Sequence, residues 1–145
     1  MRFIVMVKAT KDSEAGKMPS EEGLAAMAKF NEEMVKAGIM LAAEGLTPSK
    51  EGMRIRFEGD GTRTVTDGPF AETKELIAGF WMLEVKSRDE VIEWVKRAPF
   101  GGGAELEIRR VAEFDDFGDM IPPEVKAAEE RLRTEVAAQQ AQRQQ

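Results

Sequence analysis

The sequence contains no cysteine, no histidine and no tyrosine. Without cysteine there is no disulfide, no thiolate nucleophile and no thiolate ligand for a metal, a composition that suits a reducing, cytoplasmic setting. Without histidine the chain lacks the most frequent general base and metal ligand, and Ser-His and Cys-His nucleophile pairs are excluded. Carboxylates, lysines and arginines are the groups left for chemistry. Long apolar runs are also missing. The opening Met1-Arg2-Phe3-Ile4-Val5-Met6-Val7-Lys8 is apolar for only five consecutive positions, too short for a signal segment, and nothing else approaches a membrane span. Basic residues number 21 against 27 acidic ones, a net charge of -6, and Arg109-Arg110 is the only adjacent pair of arginines. A surface of that sign, with its cations scattered, argues against direct nucleic-acid binding, which depends on neutralising phosphates.

What is present fits a single globular domain with a tail. The 145 residues are 42% hydrophobic and 33% charged, enough to bury a core without staples. Residues 2–8 read as a strand. Ser20 reads as the cap of a helix over 21–37, with acids in its first turn and Gly38 as its stop. A second strand spans 39–44. Residues 53–58 and 62–66 form a hairpin around Gly59-Asp60-Gly61, with Ile55 and Phe57 on one face and Arg54 and Arg56 on the wet one. Residues 79–86 are a strand. Ser87 and Glu90 make a capping box for a helix that Pro99 ends, and 104–111 close the core. With the hairpin set aside, the order is β-α-β-β-α-β: an α+β, ferredoxin-like plan with both helices on one face of an antiparallel sheet.

Such a sheet leaves its second face to water, yet the strands at 2–8 and 79–86 are apolar on both faces. A second copy of the chain is the simplest cover, and two sheets packed face to face make a dimeric α/β barrel; the rival cover is the chain's own C-terminal segment. That extension, 113–145, begins with acidic residues around Phe114 and Phe117. It continues as a helix over about 123–138, initiated at Pro122-Pro123, and ends in glutamines that read as disordered.

The candidate site is the run Asp67-Gly68-Pro69-Phe70-Ala71-Glu72-Thr73-Lys74-Glu75. Gly68 before Pro69 is restricted to extended backbone, Asp67 is suited to an Asx turn, and Phe70 is an anchor. A lysine between carboxylates can tune a general acid or base, or clamp a polar ligand; the same charges also serve as a solvated, salt-bridged loop. Asp67, Glu72 and Lys74 are the candidate catalytic groups. Glu44, Arg54, Gly68, Pro69, Phe70, Glu75 and Arg109 are the candidate ligand-binding residues, the arginines for a carboxylate or phosphate. Glu44, Asp67, Glu72 and Glu75 could offer oxygens to a hard cation, but separate solvated carboxylates are the commoner arrangement, so no metal and no cofactor is assigned. Gly101-Gly102-Gly103 lacks the following Lys-Ser or Lys-Thr of a phosphate loop and reads as a connection.

Asp67 to Phe70 resembles the Asp-Gly-Pro-Phe signature of the DGPF branch of the YCII-related family. Glu44-Gly45-Leu46-Thr47-Pro48-Ser49, Glu72-Thr73-Lys74-Glu75, Gly79-Phe80 and Glu105-Leu106-Glu107-Ile108-Arg109 extend the likeness over about 1–112. The resemblance implies a ferredoxin-like subunit that dimerises into an α/β barrel, with a cleft near Asp67. The family's proposed His–Asp pair cannot operate in a chain without histidine. DGPF domains also resemble parts found beside or fused to bacterial extracytoplasmic-function sigma factors, which implies a regulatory or sensing context. Three readings follow: an auxiliary or sensing domain that binds a small molecule near Asp67–Glu75, a small isomerase or lyase working by carboxylate and lysine chemistry, and a protein-interaction module.

Overall fold

Alternation along one strand organises the molecule. The computed structural model describes all 145 residues, and its four-stranded antiparallel sheet has the order β2-β5-β1-β6, with β1 at Arg2–Lys8, β2 at Met40–Gly45, β5 at Ile77–Glu84 and β6 at Leu106–Arg110. β3 (Met53–Phe57) and β4 (Arg63–Asp67) pair only with each other, as a separate two-stranded ribbon. The helices are α1 (Lys11–Glu14), α2 (Glu21–Lys36), α3 (Arg88–Val95) and α4 (Pro123–Arg143). This is the expected ferredoxin-like plan with its inserted hairpin. No helix is long and apolar enough to cross a membrane.

β5 is hydrogen-bonded on both sides. Its Trp81 stands opposite Val5 of β1 and Ala43 of β2. Side chains alternate, so Gly79, Trp81 and Leu83 turn to one face and Phe80 and Met82 to the other. The first row is buried with Phe3 and Val5 from β1, Phe30 and Met34 from α2, and Val91 from α3, and this cluster is the core. α2 is started by Ser20, whose hydroxyl accepts from the Gly23 amide at 3.0 Å. It ends at Gly38, whose φ of 74° is the left-handed geometry a stop glycine supplies. At α3 the Ser87 hydroxyl accepts from the Glu90 amide, while the Glu90 carboxylate accepts from the Lys86 amide.

The opposite face of the sheet carries Ile4, Met6, Phe80 and Met82, all half-buried. Charges flank them: Glu44 on edge strand β2, and Glu107 and Arg109 on edge strand β6. Lys8 bonds Glu107 at 3.2 Å and Arg109 approaches it at 3.6 Å.

Three features differ from expectation. α1 falls in the polar segment from Thr10 to Pro19, which has no apolar period to signal a helix; a reciprocal capping box between Thr10 and Ser13 builds its single turn. The ribbon's apolar face is as open as its wet face: Met53, Ile55, Phe57 and Val65 are all exposed. α4 runs to Arg143 rather than stopping at about 138, because Ala, Gln and Arg are good helix formers and nothing in 139–143 breaks them. Residues Ala112–Gln145 form a unit of their own, distinct from Met1–Val111. Within it the Phe114 ring lies beneath Lys126 and Arg133, in cation–π contact with both.

Leu83 is 1% exposed and Leu41 is 49% exposed. Leu83→Ala is expected to lower the unfolding free energy in urea by about 2–5 kcal/mol, and Leu41→Ala by no more than about 0.5 kcal/mol.

Candidate functional site

The Asp67–Glu75 run is fixed from outside itself, by Ser49. The Ser49 amide donates to Glu14 Oε2 at 2.7 Å, and its hydroxyl accepts from the Phe70 amide at 3.1 Å. Its carbonyl accepts from the Gly52 amide at 2.9 Å. A Cβ on Gly68 would overlap that same carbonyl, so only glycine fits against Ser49. Gly68 then donates to the Gly52 carbonyl at 2.9 Å, which closes the base of the β3–β4 ribbon, and the Gly68–Pro69 peptide is cis. Asp67 closes β4 opposite Met53. The expected Asx turn does not form, because the residue two positions after Asp67 is Pro69, which has no backbone N–H to donate.

The charged members of the run lie at the surface. Asp67, Glu72, Lys74 and Glu75 are exposed, as is Pro69, while Gly68 and Phe70 are half-buried. Arg54 stacks on Phe70 with its guanidinium 3.8 Å from the ring centroid, a cation–π contact. The Glu72 carboxyl is raised above its ordinary value, first by a hydrogen bond with the Glu75 side chain, then by repulsion from Glu75 and by slight burial; Arg54 pulls it the other way. Thus Arg54, Phe70, Glu72 and Glu75 do come together. Asp67, Glu72 and Glu75 lack the burial that acid–base work near neutrality requires, and only something outside the chain could supply it. Glu44 and Arg109 stand on opposite edges of the sheet and do not join this group.

Behind the sheet lies a cavity of about 360 Å³, bordered by Val7, Pro19, Met27, Asn31, Trp81 and Phe100 and by the ends of β2 and β5. Trp81 forms much of its wall. The indole meets Phe30 edge-on at 5.8 Å and Phe100 at 6.2 Å between centroids, and its N–H donates to Asn31 Oδ1 at 2.9 Å. Gly79 lets β2 approach β5 closely at this border, since a Cβ there would come within 2.9 Å of the Glu44 carbonyl. Glu44 is the one sequence candidate on this border. Because it pairs with Phe80, its side chain turns to the other face and it borders the cavity through its backbone. No ionisable side chain therefore enters the space. The amino group of Asn31 is left as its polar donor. Val7, Met27 and Trp81 follow the strand and helix periods of a core; apolar residues around a cavity share that period with those inside one.

A ferredoxin-like α+β domain, with its helices and an apolar cavity on one side of the sheet, is the class of protein that these features define. The chain matches the model of the YCII-related domain over residues 1–115, and it belongs to that family. An uncharacterized protein of Rhizobium meliloti (strain 1021) is 36% identical over 62 residues, 43% of this chain and 49% of that protein. The match thus spans about half the length of that curated relative. Among solved structures, 5-chloro-2-hydroxyhydroquinone dehydrochlorinase from Burkholderia phenoliruptrix AC1100, in complex with 2,5-dihydroxybenzoquinone, aligns with a TM-score of 0.40 and 16% identity, over 80% of this chain and 98% of that one.

Two outcomes test the geometry. Gly68→Ala should displace the loop from Ser49, lowering the melting temperature and removing the hydrogen-exchange protection of the Phe70 amide; retained protection would mean that the contact is dispensable. The Glu107 carboxyl is held below its ordinary value by the hydrogen bond and charge of Lys8, then by Arg109. Its folded value lies below its unfolded value, so its stabilising contribution is present above the unfolded carboxylate range and lost as pH falls through the folded value. Glu107→Gln should therefore be less stable than the parent near neutrality and equal to it in acid, as read by thermal melts across pH.

Proposed function

We propose that the chain binds a small, uncharged, ring-sized molecule in the cavity beside Trp81, and that it does so as a homodimer. The carrying observation is the cavity itself. Its volume of about 360 Å³ falls in the range of roughly 300–1,000 Å³ typical of small-molecule sites. Its side-chain wall is apolar and aromatic, with one amide donor. A buried charge without a counter-charge costs several kcal/mol or more, so a wall without ionisable groups selects against anions and cations alike. A flat ring carrying a hydrogen-bond acceptor for Asn31 satisfies this lining.

In this reading the Asp67–Glu75 run shapes the surroundings of the site. Through Ser49 and Glu14 it fixes the loop that follows β2, the strand whose end borders the cavity. The enzyme reading, with Asp67, Glu72 and Lys74 as its groups, would need a second copy to bury them. Binding without turnover is the role that the exposed carboxylates favour.

Support for the homodimer comes from the open sheet face. Ile4, Met6, Phe80 and Met82 form an apolar centre, with Glu44 on one edge strand and the Lys8–Glu107–Arg109 ion-pair group toward the other. A two-fold axis along the strand direction would bring the apolar centres of two copies together.

Benzamide and benzoate differ little in shape but differ in charge. Thermal shift and NMR titration should detect benzamide and detect benzoate far more weakly, and Ala43→Leu, which narrows the cavity from the inner row of β2, should abolish the benzamide response. Equal binding of benzoate, or benzamide binding that survives Ala43→Leu, would overturn the assignment. Light scattering at micromolar concentration should give twice the chain mass, and Met82→Glu should give the monomer mass.

A further inference from the structure

The cavity beside Trp81 has one wall that neither a strand ladder nor a helix holds in place. Every residue on its border except Pro19 and Phe100 lies in β1, β2, β5 or α2, where a shift would break backbone hydrogen bonds. Pro19 is fixed by other means. Its ring locks its φ, and it directly precedes Ser20, the cap of α2. It also lies on the first turn of that helix, where a Cβ on Gly23 would stand 3.7 Å from the Pro19 Cβ. Phe100 is therefore the border residue that can move.

Phe100 is half-buried, and its ring meets the Trp81 indole edge-on at 6.2 Å between centroids. Its amide donates to the Ala98 carbonyl at 2.9 Å, across Pro99. On its other side comes Gly101-Gly102-Gly103, exposed throughout. These residues form a turn that the Ala104 amide closes by donating to the Gly101 carbonyl at 3.3 Å. Gly103 has a φ of 88°, so the turn requires glycine there. Gly101 and Gly102 are not required by the geometry. Neither has a positive φ, and a Cβ on either would meet nothing within 4 Å. What glycine adds at such positions is backbone freedom. That freedom sits directly behind the one ring of the cavity wall that can swing.

We propose that Phe100 is the gate of this cavity. Its ring swings away from Trp81 on the Gly101–Gly102 hinge, lets the molecule in, and closes again over it. Because the other walls are fixed, the space that the ring vacates sets the size of what can enter, so Phe100 selects by size as Asn31 selects by hydrogen bonding. What passes the gate rests on the ligand class assigned above, whereas the swing of the ring stands on its own geometry.

Hydrogen exchange of the Trp81 indole N–H, which is bonded to Asn31, reads the gate by NMR without any ligand. F100A should raise that exchange roughly twofold to tenfold, the weight of one edge-on ring contact. F100L, which keeps an apolar side chain in place, should shift it the same way and serves if F100A does not fold. G101A/G102A should lower it roughly twofold to fivefold, the effect of the backbone freedom that alanine removes. Both changes should persist unaltered in urea well below the unfolding midpoint, because a local opening exposes little surface, whereas exchange through global unfolding rises with urea. With benzamide, NMR line shapes should show G101A/G102A slowing association and dissociation by the same factor, with Kd unchanged. The gate is overturned if the indole proton of G101A/G102A exchanges as in the parent, or if the effect of the Phe100 variants tracks global unfolding. Failure of benzamide to bind would overturn the ligand reading alone, and the indole exchange would still decide the gate.

Discussion

Strand β5 can show only one of its two apolar rows to the helices. Everything distinctive about the domain follows from how the two rows are divided. The inner row, Gly79, Trp81 and Leu83, meets α2 and α3 and forms the core. Leu83 fills its place completely, whereas Gly79 has no side chain to fill with, and the indole of Trp81 is held upright by Asn31 and the edges of Phe30 and Phe100. A large rigid ring beside a residue without a side chain leaves a space that flexible neighbours would have closed. The outer row, Phe80 and Met82, is left on a face that no helix of the ferredoxin-like plan can reach.

The helix-bearing side is divided between two unlike cavities. Near α2 the walls are apolar and aromatic; near α3 the walls end in arginines. The difference comes from the strands that border them. β2 contributes Ala43 to the helix side and sends the Glu44 side chain to the opposite face, while β6 keeps Arg110 on the helix side and sends Glu107 and Arg109 outward. A shift of one residue in either register would exchange these charges between faces. Pairing geometry, more than composition, thus decides which cavity wall carries charged side chains.

Much of the fold was legible in the sequence because alternation and capping are local. Ser20, Gly38, Ser87 and the Arg54–Phe57 alternation each mark an element from within a few residues, and the double-faced apolarity of 2–8 and 79–86 gives the sheet's central strands. Features that depend on distant contacts were not legible. The Asp67–Glu75 run stands out by composition, but Ser49, the residue that holds it, is an ordinary serine whose role comes from its approach to Gly68 and Phe70. α1 was missed because a single capped turn has no apolar period. The cavity beside Trp81 was not legible because periodicity reports which face a residue occupies, and a cavity leaves no mark in that period. Arg110, half of the adjacent arginine pair, gave no signal of its own; only the register separates its face from that of Arg109.

The β3–β4 ribbon pairs with nothing but itself, so each of its strands keeps one edge of unmet backbone donors and acceptors. Its exposed Met53, Ile55, Phe57 and Val65 would make those edges a template for strand-to-strand aggregation. Three arginines stand guard. Arg54 and Arg56 alternate with the apolar residues along β3, and Arg63 lies over the Phe57 ring at 4.4 Å. A like-charged ribbon arriving edge-on would meet the same arginines, so solubility in this region rests on electrostatic gatekeeping.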